Sequence, residues 1–402
     1  MKMLLSLLIL LALGFIGSRL SFSKIRFPLF SRYFFLSGDE YILLGLALGP
    51  SLFNVVDAAS LVQLSPLVSL LLGWIGFLFG LQFQHKKLRY LPKHYFTISL
   101  AESLGVCLFL YAVFYLVCVR ALHITFDEKA HVAIIALAAI GSVSGPTSIA
   151  IFQRDTGSGD NDVKLLQFIS SLDGVVAICI FGVVFSWLRP GHVYTVPFLN
   201  SLEWFTLSLI LGILFAMLLR YLVIRSRDVL EIEIMTLGVL IFSGGLCGYL
   251  RISPLFVNFI CGVTLANLPI LNKDKIYGIL ARIEQPFYIT LLLLAGCLWE
   301  LSLSLFTVLI AALFVFLRII GKVVMLFGIR RVLAMDDDYS SRIGFGLIAQ
   351  GGLAIAMILN VQQVYAGVWV SAIVTIVLAG ILVNQLISII FLKKFFGVSE
   401  NA

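Results

Sequence analysis

The chain has 402 residues, of which 61% are Ala, Val, Ile, Leu, Met, Phe, Trp, Tyr or Cys and only 12% are Asp, Glu, Lys or Arg. Soluble domains run about 45 to 50% apolar and about 25% charged, so a water-soluble globule is excluded. A formal charge of +7 without any basic run interleaved with aromatics also excludes a nucleic-acid partner. The expected class is an all-α polytopic membrane protein in a lipid bilayer.

At about 20 residues per spanning helix, roughly 13 spans fit the apolar runs and leave only short connections, so no soluble catalytic domain is expected. In chain order they are 2–20, 40–55, 61–83, 95–119, 132–152, 164–188, 200–220, 231–250, 253–270, 285–300, 303–327, 342–362 and 366–392. The first follows Lys2 as a secretory signal would. No small-x-small cleavage site follows it, and Arg19, Lys24 and Arg26 flank its far end, so it is read as a retained helix.

Thirteen spans put the termini on opposite sides. With the amino end outside, 21 of the 28 Lys and Arg residues fall in inner connections, five in outer ones, and two, Arg318 and Lys322, within a span. A ratio of about four to one orients the chain with its carboxyl terminus in the cytoplasm.

Two spans carry interruptions. The fifth contains SVSGPTS, where Gly145 favours an unwound backbone and Pro146 lacks an amide hydrogen; the twelfth contains AQGGLA, with Gln350 before adjacent Gly351 and Gly352. They are the fifth of the first six spans and the fifth of the last six. Broken helices at matching places in two halves are the sequence mark of an inverted-repeat secondary transporter, whose substrate sits where the half-helices meet. The seventh span is then a linker.

Asp173 lies near the middle of the sixth span, in QFISSLDGVVAICIF. A lone carboxylate in hydrocarbon marks a functional site or a partner for a basic residue. A proton and a small cation compete for one such carboxylate, which is what exchange requires. Ser170, one turn earlier on the same face, offers another oxygen. Arg318 and Lys322, four residues apart, share a face of the eleventh span and need anionic or dipolar company, from Asp173 or the carboxyl ends of the half-helices. Glu102, about two turns into the fourth span, is either a second proton carrier or the partner of Arg318 or Lys322. With Asp173 as the one central carboxylate, one proton exchanges for one monovalent cation.

Other signals are discounted. Arg154–Asp162 (RDTGSGDND) superficially resembles a calcium loop, but its twelfth position from Asp155 is Leu166 rather than Glu. No GxxxxGK[ST] sequence is present to drive an ATP-powered pump. The five histidines sit in connections without ligand spacing, and the six cysteines read as small core residues rather than disulfides or a zinc site. Asp39, Glu40, Glu203, Glu231, Glu233 and Glu300 lie near span ends and are expected to be solvated. No metal beyond a transported monovalent cation, no cofactor and no enzymatic activity are expected.

Several stretches, taken in order, resemble the monovalent cation/proton antiporter superfamily, the sodium/hydrogen exchanger family in the broad sense, over nearly the whole chain. They are ILLGLALGPSLFNVVD, GFLFGLQFQHKKLR, GVVAICIF after Asp173, SPLFVNFICGVTLAN and IAQGGLAIA. The resemblance implies a homodimer in an inner cell membrane and an elevator movement of a six-helix core against a scaffold. Asp173, with Ser144, Gly145, Pro146 and Thr147 of the first broken helix, would bind protons one way and sodium, lithium or potassium the other. It further implies scaffold helices over 1–94, core over 95–190, a linker over 191–230, scaffold over 231–301 and core over 302–402, with Lys322 as the basic residue facing the acidic centre.

The sequence departs from that pattern at Leu172, where the family usually has Asn or Asp. It departs again at Ser144-Gly145-Pro146, often Thr-Asp-Pro, and at Leu353, where many members are acidic. Two readings compete: a cation-coupled symporter of organic anions on a related fold, and a non-transporting membrane sensor or scaffold.

Overall fold

The computed structural model describes residues 2–20, 38–121, 128–146, 149, 161–187, 200–226, 228–269, 273–301, 304–333, 343–365 and 367–396. Among them the secondary structure is helical throughout. Thr147, residues 154–160 of the polar loop, His123, His192, and the basic residues Lys24, Arg26, Arg32, Arg189, Arg227 and Arg342 lie outside the described residues.

The main helices are α1 (Lys2–Leu20), α2 (Glu40–Leu48), α3 (Ala58–Gln63), α4 (Ser65–Leu81), α5 (Lys93–Leu116), α6 (Glu128–Ser142) and α7 (Asn161–Trp187). They continue as α8 (Ser201–Arg225), α9 (Val229–Leu250), α10 (Pro254–Asn267), α11 (Lys273–Cys297), α12 (Leu305–Val332), α13 (Gly352–Val364) and α14 (Val368–Phe396). Seven of these (α1, α5, α7, α8, α9, α12 and α14) contain stretches long and apolar enough to cross a membrane unaided. The protein is a multi-pass membrane protein.

Each expected span overlaps a helix, with three corrections. The second is shorter, because α2 stops at Leu48 where Gly49 takes extended backbone before Pro50. The third is preceded by a separate short helix: Asp57 caps α3 by accepting the Ser60 N–H at 2.9 Å, and Pro66 opens α4. The tenth is longer, because α11 begins at Lys273, twelve residues before the expected start. Its charged first turns hide it from hydropathy, and Pro286 sits inside it, with Thr290 Oγ1 donating to the Pro286 carbonyl at 2.7 Å.

Packing divides the helices into two neighbourhoods. α5, α6, α7, α12, α13 and α14 pack on one another, as do α4, α8, α9 and α10, while α1 and α2 lie against α11. The closest approaches are built on glycine. A Cβ at Gly45 or Gly296 would strike the backbone across the α2–α11 contact, and one at Gly76, Gly80 or Gly262 would do so across α4–α10. With no hydrophobic force between helices in lipid, such backbone approach supplies the dispersion contact that holds them.

In α5–α7 and in α12–α14 the middle member is interrupted. α6 ends at Ser142 and gives way to non-helical backbone at residues 143–145, with helix again at Pro146. In the second half a short 3₁₀ turn, Ile343–Leu347, gives way to non-helical backbone at residues 348–351, extended at Gly351, before α13. The two non-helical segments cross backbone to backbone, with Gly145 N donating to the Ala349 carbonyl at 2.8 Å.

A Cβ on Gly145 would lie 2.8 Å from both Gln350 C and Gly351 N, so the crossing has room only for hydrogen there. Gly145→Ala is therefore expected to force the segments apart and cost about 1 to 3 kcal/mol. Gly238→Ala on α9, where nothing lies within 4 Å, is expected to be neutral or slightly stabilising. Melting temperatures of both variants in detergent check this; equal values would show that the crossing tolerates a side chain.

Candidate functional site

Breaking two helices inside a membrane frees backbone carbonyls that lipid cannot satisfy. Arg318 answers that need. Fully buried on α12, its guanidinium donates through Nη2 to the Val143 carbonyl at 2.8 Å, to Leu347 O at 3.2 Å and to Ala349 O at 3.4 Å, and through Nη1 to Ile348 O. One side chain thus ties the carbonyl ends of both interruptions together, and its charge is taken up by carbonyl dipoles. Gln350 adds a second tie: its Nε2 donates to Ile140 O at 3.1 Å, and its Oε1 accepts from Asn384 Nδ2 at 3.0 Å.

One turn along α12, Lys322 is likewise buried, with Nζ 2.9 Å from Glu102 Oε1 and 3.1 Å from Asp173 Oδ2. Three fully buried ionisable side chains from α5, α7 and α12 meet at one ammonium. Desolvating them costs several kcal/mol each, and their mutual attraction offsets this only while they stay together. Asp173 Oδ2 also accepts the Ser144 N–H at 3.1 Å, an amide freed by the first interruption and directed at the carboxylate.

Several buried oxygens around this cluster are left over. Asp173 Oδ1, Glu102 Oε2 and Ser144 Oγ are buried without a hydrogen-bond partner among the described residues. So are the hydroxyls of Ser99 and Ser103, on the buried face of α5 that carries Glu102. Orphaned buried acceptors are costly in a dry interior, and a proton or a desolvated monovalent cation is what they can hold. Among the described residues no group of three His, Cys, Asp or Glu could hold a bound metal.

The structure thus brings together Asp173, Ser144, Gly145, Pro146, Lys322, Arg318, Glu102, Gln350, Gly351 and Gly352, while Thr147 is not described. Ser170 is less engaged than expected: it is buried, but its hydroxyl donates to Gln167 O at 3.0 Å in its own helix. Glu102 is a partner of Lys322, so the centre holds two carboxylates rather than one. Asp39, expected at the solvated start of a span, is buried, in a segment where the neighbouring Gly38 lies against Leu292 and Tyr288 of α11. All six cysteines are free, and Cys179, expected in the core, is exposed on the outer side of α7.

Asn384 was not singled out from the sequence. Its signal was the one that marked Asp173, a polar side chain within an apolar run, here VNQL in α14.

No protein-family model matches the chain, and no curated protein does. Among solved structures, the fold is similar to that of the sodium proton antiporter MjNhaP1 from Methanocaldococcus jannaschii at pH 8, with 16% identity and a TM-score of 0.66 over 99% of this chain and 98% of that one. A second structure of MjNhaP1, from an electron-microscopy map, aligns with 15% identity and a TM-score of 0.58 over 89% and 91% of the two chains. The chain therefore shares this all-helical fold over nearly its whole length.

Proposed function

We propose that this protein is a secondary antiporter of the monovalent cation/proton superfamily, exchanging sodium, lithium or potassium for protons at Asp173. The observation that carries the reading is the buried Asp173 carboxylate beside the crossing of two broken helices, with one oxygen held by Lys322 and the Ser144 amide and the other unpartnered among the described residues. One free carboxylate oxygen in a dry centre has room for a proton or a cation, not both. Occupancy by one excludes the other, which is the chemical content of antiport.

The likeness to a sodium proton antiporter supports the same reading. The packing is consistent with it: α5–α7 and α12–α14 would be the ion-carrying group, α1–α4 with α9–α11 the scaffold, and α8 the linker. In this reading the first group moves as an elevator past the second, the protein is a homodimer in an inner cell membrane, and the amino terminus is outside with the carboxyl terminus in the cytoplasm. The departures at Leu172 and Leu353 remove oxygens that the family usually places near the central carboxylate. Ions that surrender water cheaply are favoured, with potassium ahead of sodium and lithium.

The test is purified protein in proteoliposomes loaded with a pH dye. Addition of potassium, sodium or lithium in turn should move protons in the direction opposite to the cation, and choline should not. Proton movement equal with choline and with all three ions would refute the assignment.

A further inference from the structure

Serines inside helices commonly close on their own backbone, the hydroxyl donating to a carbonyl three or four residues back. Ser142 does so to Ala139 O at 2.8 Å, Ser208 to Trp204 O at 2.9 Å, Ser243 to Leu240 O at 3.1 Å and Ser388 to Gln385 O at 2.8 Å. Ser99 and Ser103 of α5 do not. Both are fully buried, and neither hydroxyl has a hydrogen-bond partner among the described residues. Glu102 lies between them in the sequence, with Oε1 2.9 Å from the Lys322 ammonium and Oε2 without a hydrogen-bond partner among the same residues.

Glu102 and Ser103 follow Ser99 by three and four positions, so the three side chains share one face of α5 with Cβ atoms about 5 to 6 Å apart. No direct hydrogen bond joins them, and a gap of that span is bridged by one small molecule. We propose that Ser99, Ser103 and Glu102 Oε2 hold a water, and that this water delivers protons to Glu102 by a route the transported cation does not use; the proposal rests on the antiport reading above.

Water fits the site in number and in charge. A buried water makes about three hydrogen bonds, and here it donates to Oε2 and accepts from the two hydroxyls. Glu102 and Asp173 are matched by Lys322 and Arg318, all four fully buried, so a neutral ligand leaves the cluster balanced where a second cation would add a charge to a dry interior. One turn before Ser99 on the same face, Tyr95 is 7% exposed. Ile98, Leu166, Ile169 and Leu326, from α5, α7 and α12, belong to the same buried apolar cluster as Tyr95, and Ser99 is the polar step between that end of α5 and Glu102.

The transfer conserves every atom. A proton arriving at the Ser99 oxygen sends the original hydroxyl hydrogen to the water, and the water releases one of its own to Glu102 Oε2. Serine and water end as they began, and Glu102 carries one hydrogen more. Lys322 completes the route by giving an Nζ hydrogen to Asp173 Oδ2, 3.1 Å away, and taking the one from Glu102. Cations reach Asp173 without these steps, so removing the two hydroxyls separates activities that share one carboxylate.

The experiment compares wild type with Ser99→Ala, Ser103→Ala and the double variant in dye-loaded proteoliposomes, with size-exclusion profiles and detergent melts showing that each is folded. One arm reads cation-driven proton movement. The other reads cation-for-cation exchange, which moves no proton, as uptake of radiolabelled sodium, or of rubidium in place of potassium, against the same unlabelled ion inside. Losing two hydrogen bonds to the relay water should slow proton movement in the double variant by about tenfold, with a larger solvent isotope effect in heavy water than wild type shows. Cation-for-cation exchange should stay within about twofold of wild type.

Unchanged proton movement shows that the hydroxyls close on their own helix, and a loss of equal size in both arms shows a structural or cation-binding role; either result overturns the relay. If the double variant does not fold, the single variants carry the same test, each with a smaller loss confined to the proton arm. A wild type without cation-driven proton movement overturns the antiport reading and the relay with it. A wild type active in both arms, with variants that lack the split, overturns only the relay.

Discussion

Asp173→Asn is expected to abolish cation-driven proton movement while leaving the protein folded. The substitution keeps the side-chain shape and removes the buried carboxylate charge, one of whose oxygens has no partner among the described residues. With the carboxylate gone, Glu102 and Lys322 stay paired at 2.9 Å, and no carboxylate with a free oxygen remains at position 173 to hold a cation. Removing one partner of a buried charge cluster leaves Lys322 and Arg318 less well compensated, so the variant should stay folded with a lowered melting temperature.

A second readout separates loss of binding from loss of movement. A cation that binds only the folded wild type raises its stability by about 2.7 kcal/mol at one hundred times the dissociation constant, and that increment should be missing from the variant. Wild-type exchange in Asp173→Asn, or an undiminished cation-induced increase in melting temperature, would place the ion elsewhere.

The helices themselves were legible because lipid imposes length and hydropathy on every span, and the breaks because only Gly and Pro in mid-span announce unwound backbone. Amphipathic or short pieces escaped: the charged first turns of α11 read as a connection, and α3 merged with α4. Within the site, Asp173 was found by its isolation in an apolar run, and the pairing of Arg318 and Lys322 on one face by their spacing.

What spacing along one helix does not contain is which element faces it. Glu102 lies 220 positions before Lys322, so its choice between proton carrier and partner had to wait for α5 and α12 to be seen packed together. The same holds for Arg318, four residues from Lys322 yet engaged with carbonyls rather than carboxylates. A turn of α12 carries the guanidinium to the helix crossing and leaves the ammonium at the acids. Backbone carbonyls have no letter in a sequence, and a side chain that binds only carbonyls leaves no complementary residue to look for.

That division of labour predicts opposite consequences for the two basic residues, with the larger structural one at Arg318. Arg318→Gln is expected to destabilise the protein by at least about 3 kcal/mol, because hydrogen bonds to a charged group contribute roughly 1.5 to 3 kcal/mol each and buried carbonyls left alone incur a further penalty. The shorter neutral amide has two donors for carbonyls of Val143, Leu347, Ile348 and Ala349 that lie on two different segments, so it cannot hold both interruptions. Arg318→Lys keeps the charge but concentrates it on one nitrogen without the planar fork, and should recover part of the stability and not all.

Lys322→Gln provides the contrast. It leaves two carboxylates adjacent, a repulsion that one shared proton relieves, while the ties at the crossing stay intact. Its melting temperature should therefore fall less than that of Arg318→Gln, although its ion exchange should change more per degree of stability lost. Detergent melts of the three variants against wild type read the order directly. An Arg318→Gln protein as stable as wild type, or less affected than Lys322→Gln, would mean that the crossing is held by Gln350, Asn384 and the Gly145–Ala349 backbone bond without the guanidinium.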